Sequence, residues 1–125
     1  LLGSGALLLG HAHPAVVAAV NDVVAKGAGN LRVNEHALEL ADEIVRAVPC
    51  AERVVFHSSG SEAVACAVRV ARAFCGRDKI LKFEGGFHGM SDYALLSNQW
   101  LGRSVQSEVA VPVSAGIPRA VAERT

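Results

Sequence analysis

Two short turns in this sequence hold side chains suited to chemistry. The first, SSGSEA at residues 58 to 63, follows an apolar run and opens a helical pattern. Ser59 and Glu62 are spaced as a capping box, in which the hydroxyl accepts from the Glu62 amide and the carboxylate accepts from the Ser59 amide. A helix therefore starts here, with backbone amides left unpaired at the positive end of its dipole, and Gly60 leaves them open to close approach. A phosphate is the natural guest. The dipole contributes only about 0.3 to 1 kcal/mol per charge, so firm binding also requires the hydroxyls of Ser59 and Ser61. A well-capped helix with no ligand fits the same spacing. The turn is neither G-x-x-x-x-G-K-[ST] nor G-x-G-x-x-G, which sets the familiar nucleotide loops aside.

The second turn, FEGGFHG at 83 to 89, also follows an apolar run. Ligands of open α/β sheets gather at the carboxyl ends of strands, and here two glycines precede Phe87 and His88. The pair would set an aromatic face beside a bound ring. A tight turn with Phe87 packed in the core satisfies the same letters. His11 and His13 in GHAHP have a metal-like spacing, but no nearby carboxylate or cysteine completes a ligand set, so no metal is expected. His36 and His57 belong to no pattern, and no residue is assigned a catalytic role.

The elements that must position these turns follow from periodicity. Pro14 suits a first helical position, and Val16, Val20, Val23 and Val24 predict a helix over about 14 to 26, stopped by Gly27. Leu38, Ala41, Ile44, Val45 and Val48 mark a second helix that ends before Pro49. RVVFH at 53 to 57 reads as a buried strand. Val64, Ala67, Val68, Ala71 and Phe74 then form the apolar stripe of a helix that Gly76 terminates in the left-handed region. KILKF at 79 to 83 reads as a second strand. Strand, helix and strand within about thirty residues is the pattern of an α/β unit with parallel strands. One more helix is expected near Ser91 or Asp92.

Composition narrows the class of partner. The chain has 125 residues, about half of them apolar, with twelve basic and twelve acidic side chains. Nucleic acid and anionic membrane both reward a basic surplus, so neither is an expected partner. The opening LLGSGALLLG is broken by glycines, lacks a basic flank and is far short of a membrane span, so it is not read as a targeting segment. Cys50, Cys66 and Cys75 lack any C-x-x-C spacing, which fits reduced thiols in a cytoplasmic protein. Met90 is the only methionine and the last residues complete no element. The chain is therefore expected to be a piece of a longer protein, with residues 1 to 52 a helical lead-in and residues 53 to 125 the start of a larger domain.

Three stretches, LLLGHAHPAVVAAV, FHSSGSEAVACAVRVARAFCGRDKILKFEGGFHG and GIP, resemble in order and spacing the class III aminotransferases that use pyridoxal 5′-phosphate, most closely the glutamate-1-semialdehyde 2,1-aminomutase branch. The resemblance implies an α/β fold, a fragment of the fold-type-I large domain with a mostly parallel sheet flanked by helices. In it the strands near 53 and 79 need not be neighbours. It also implies that Ser59, Gly60 and Ser61 receive the cofactor phosphate, that Phe87 stacks on the pyridine ring, and that His88 lies close by. Partners on this footing are a small-molecule amino donor, a carbonyl acceptor and a second copy of the full-length chain. The family often has asparagine where Ser58 stands and tyrosine where Phe87 stands. Its cofactor-bearing lysine and the aspartate facing the ring nitrogen match none of these residues, Lys26, Lys79 and Lys82 included. The fragment is thus expected to be inactive alone. The rival reading, from a different class, is a phosphate-binding or interaction module without catalysis.

Overall fold

A computed structural model describes residues 3–27, 34–97 and 110–125. The chain divides into two compact units, Leu1–Val54 and Val55–Thr125.

In the first unit, α1 (Pro14–Ala25) begins on Pro14 because a proline amide is not needed in the first turn. Gly27 follows it at φ +98°. The second helix, α2 (Glu35–Ala47), starts three residues before the apolar stripe. Asn34 is its N-cap, and the Asn34 side chain accepts from the Ala37 amide at 2.8 Å. Neither helix contains a buried residue. Leu7, Leu9, Val16, Val17 and Val20 line an open apolar cavity of ≈ 410 Å³.

The second unit is organised by α3 (Gly60–Cys75). Both halves of the expected capping box form: the Glu62 amide donates to Ser59 Oγ at 3.3 Å, and the Ser59 amide donates to Glu62 Oε2 at 3.0 Å. Gly76 ends the helix at φ 62° and ψ 29°. From there residues 77 to 83, in no helix or strand, lead to the glycine loop. A single turn follows at Ser91, where the Ala94 and Leu95 amides both donate to the Ser91 carbonyl. The helix expected near Ser91 does not continue, because Leu96 leaves that turn to form an antiparallel bridge with Pro112. On either side of the bridge, Ser97 N–H donates to the Val111 carbonyl at 2.7 Å and Val113 N–H to the Leu95 carbonyl at 3.0 Å. Leu96, Ile117 and Ala122 form the small core, with Leu95, Ala110 and Val121 against it. The short α4 (Arg119–Ala122) supplies Ala122.

The parallel pairing of 53 to 57 with 79 to 83 is not found among the described residues, which hold no strand ladder and only the bridge at Leu96. Neither segment belongs to a helix. A strand needs a neighbour for its backbone groups, and the Ile80 amide instead donates to the Arg124 carbonyl at 3.0 Å. Residues 80 to 83 keep the alternation of a strand, with Ile80 and Lys82 half-buried while Leu81 is 92 % and Phe83 85 % exposed. Val55 and Phe56, expected in a buried strand, are exposed as well.

Candidate functional site

The head of α3 retains the donors its sequence promised. Within the described residues the Glu62 and Ala63 amides bond to Ser59, through its hydroxyl and its carbonyl respectively. The amides of Gly60 and Ser61 are then the ones left to a guest. A Cβ built on Gly60 meets nothing within 4 Å, so the approach to these amides is open. Ser59 and Gly60 are exposed.

The glycine loop lies against the same helix head. Met90 N–H donates to Ser61 Oγ at 3.1 Å. The adjacent Gly89 is buried at φ +101°, and a Cβ there would stand 2.8 Å from both Cα and Oγ of Ser61. Only a residue without a side chain lets the loop come so close. The two turns, 29 positions apart from Ser61 to Met90, therefore meet in one place. Phe87, three residues before Met90, is 57 % exposed within this chain. His88 is exposed too, and its Nε2 fills the space where a Gly86 side chain would go, 2.7 Å from the Cβ position.

Further ties hold this arrangement to α3. The Arg72 guanidinium lies 3.9 Å from the centroid of the Tyr93 ring, and Arg72 Nε donates to the Asp78 carbonyl at 2.8 Å. Arg124 pairs with the Asp78 carboxylate. Lys82 Nζ donates to the carbonyls of Gly86 at 3.0 Å and Ala94 at 3.1 Å, and also to that of Leu96. Burial lowers the pKa of the Lys82 ammonium from the ordinary lysine value. Between Val64 and Val68 of α3 and residues 80 to 83 lies a groove of ≈ 190 Å³, reached by His88 and Tyr93. Ordinary ligand pockets start near about 300 Å³, so this groove alone does not enclose a ring-sized guest.

Lys82 escaped the sequence reading because a single lysine in a short apolar run carries no motif. Its place on the inward parity of KILKF was the signal. His11 is exposed, and His13 serves as the N-cap residue of α1 without a side-chain cap bond. Among the described residues no group of three histidine, cysteine or carboxylate side chains stands ready for a metal ion. Cys50, Cys66 and Cys75 are all free thiols. No helix among the described residues is long and apolar enough to cross a membrane.

Comparison with known proteins places this chain in a family. The chain is 49 % identical over 117 residues to the glutamate-1-semialdehyde 2,1-aminomutase of Methanothermobacter thermautotrophicus, a match covering 94 % of this chain and 26 % of that protein. The enzyme of the same name from Methanopyrus kandleri is 44 % identical over 124 residues, covering 99 % of this chain and 28 % of its own length. Among solved structures, an omega-transaminase from Sphaerobacter thermophilus superposes with a TM-score of 0.82 at 38 % identity, over 92 % of this chain and 27 % of that one. A transaminase with pyridoxal phosphate bound gives the same TM-score at 34 % identity, over 93 % of this chain and 26 % of that one. The chain thus spans about a quarter of the length of these relatives. Its fold is that of the corresponding fragment of a fold-type-I transaminase. Since the family model for class III aminotransferases matches residues 2–123, the chain belongs to the class III aminotransferases.

Proposed function

We propose that this chain is the part of a pyridoxal-phosphate-dependent aminotransferase or aminomutase that holds the cofactor's phosphate and covers one face of its ring. The carrying observation is the bond from Met90 N–H to Ser61 Oγ, with Gly89 packed on Ser61, which joins an anion-ready helix head to the loop bearing Phe87 and His88. The residues present fit the cofactor: two unpaired amides, an open approach at Gly60 and an exposed aromatic ring.

In this reading the amides of Gly60 and Ser61 donate to phosphate oxygens, helped by the hydroxyls of Ser59 and Ser61 and by the helix dipole. Phe87 lies on the ring and excludes water from that face, and His88 flanks it. When bound, pyridoxal phosphate supplies an aldehyde carbon that carries an amino group and a ring that draws electrons from it. The lysine joined to that carbon belongs outside this chain, because Lys82 is committed to backbone carbonyls and neither Lys26 nor Lys79 lies in either turn. The substrates are a small amino donor and a carbonyl acceptor, or one molecule serving as both, as the aminomutase relatives suggest. The full-length enzyme works as a homodimer in the cytoplasm. Membership in an enzyme family weighs against the non-catalytic module.

The test is Gly60→Val in the intact protein. A branched side chain at this open position crowds the phosphate without striking the protein itself. Cofactor retention should fall roughly ten-fold or more, equivalent to at least about 1.4 kcal/mol, while the melting temperature of the cofactor-free form stays near wild type. Unchanged cofactor affinity would remove the cradle from the helix head.

A further inference from the structure

The loop from Phe83 to Met90 has little to hold it. Its backbone enters the left-handed region at Gly85 and Gly89, at φ +78° and +101°, where glycine resists neither opening nor closing. Phe83 and Phe87 leave much of their surface uncovered by this chain, so packing against its own residues does not fix the loop either. Its far end is clasped by Ser61.

The near end is held from beneath. Lys82 is a half-buried residue of the segment that feeds the loop, and its ammonium reaches carbonyls at three separate places. Gly86 lies in the loop, Ala94 in the turn that follows, and Leu96 in the bridge to Pro112 and hence in the core. An ammonium is the one side-chain group that offers three donors from a single atom on a flexible stem. Gly85 N–H adds a bond to the Ser97 carbonyl at 2.7 Å, so the loop's first half is tied to the same bridge.

We propose that Lys82 is a positioning residue: by gathering the carbonyls of Gly86, Ala94 and Leu96 at one point, it sets the loop so that Phe87 presents its ring over the head of α3. The lysine does no chemistry on the substrate and touches no reacting atom. It acts through Gly86, whose carbonyl is part of the peptide group joined to Phe87. This assignment rests on the reading of Phe87 as the residue that stacks on the cofactor ring.

The experiment uses the intact protein loaded with pyridoxal phosphate, in wild-type form and as Lys82→Met, Lys82→Gln and Phe87→Ala. Two readouts are taken, the dissociation rate of the cofactor and the visible circular dichroism per bound cofactor, which reports how asymmetrically the ring is held. Lys82→Met keeps the apolar stem but has no donor, so the cofactor should leave roughly ten-fold faster with a weakened dichroic band, as Phe87→Ala also shows. Lys82→Gln, with two donors on a shorter stem, should fall between wild type and Lys82→Met, and it decides alone if the methionine variant does not fold. Hydrogen exchange at the bonded loop amides of Gly85, Gly86 and Met90 in the cofactor-free protein should accelerate in either lysine variant while that of α3 residues does not. Wild-type dichroism and wild-type dissociation in the lysine variants, with both altered in Phe87→Ala, overturn the role of Lys82 alone. Wild-type values in Phe87→Ala as well overturn the stacking reading and the tether with it.

Discussion

Gly89 is the residue on which the meeting of the two turns depends most directly. Its φ of +101° already disfavours any side chain, and its Cβ position lies 2.8 Å from a backbone carbon that cannot rotate away. Gly89→Ala should therefore cost more than the roughly 1 to 2 kcal/mol of left-handed strain, and should part Met90 N–H from Ser61 Oγ. Loss of hydrogen-exchange protection at the Met90 amide is the measurement. Lys82 carries a pH signature of its own. Burial sets its native pKa below 10.5, although its carbonyl acceptors favour the charged form. Between the native and unfolded values the unfolded chain binds more protons, so this residue's contribution makes stability rise with pH across that window and sit at its lowest below the native pKa. The difference in urea midpoint between wild type and Lys82→Met, followed in the intact protein up to and beyond pH 10.5, should change across that window. A difference independent of pH would contradict it.

At the scale of elements, α3 shows what is legible in a sequence. Its start is written in Ser59 and Glu62 and its end in Gly76, all local signals, and the helix forms between them. The end can be tested cleanly, because the Gly76 Cβ position meets nothing within 4 Å. Gly76→Ala should lower stability by about 1 kcal/mol through backbone conformation alone, read as a shift in thermal midpoint. The start of α2 was hidden by its surroundings: Asn34 caps the helix from within a stretch of turn-like composition, ahead of the first apolar stripe residue. Ser91 and Asp92 carried helix-start chemistry, yet the chain turns only once there, since the bridge that captures Leu96 depends on Pro112, sixteen positions away. Strand pairing is not legible for the same reason. RVVFH and KILKF have strand composition, but a ladder is a property of two segments and no local pattern names the second. The contact of Gly89 with Ser61 and the grip of Lys82 on three carbonyls were equally out of reach, being fixed by how separated segments lie together.

At the scale of the chain, the described residues bury little and leave many large apolar side chains exposed. The buried hydrophobic residues among those described are Ala94, Leu96, Ile117 and Ala122, while Phe74 and Leu81 are 90 % and 92 % exposed and Phe83 nearly as much. So little burial does not offset the chain entropy of 125 residues. The isolated chain should aggregate or lack a sharp cooperative melt, checked by calorimetry and light scattering, and a monomer with a single sharp transition would contradict this. Those exposed side chains are suited to the interior of a longer protein, in keeping with relatives about four times the length. The clasp between Ser61 and Met90 also has a practical use. In the intact protein, selective methionine labelling with a Met90→Leu control assigns one amide resonance to the bond on the hydroxyl at the helix head. A well-dispersed peak signals a closed loop, one at the random-coil shift signals an open loop, and its displacement on adding inorganic phosphate registers anion arrival at α3.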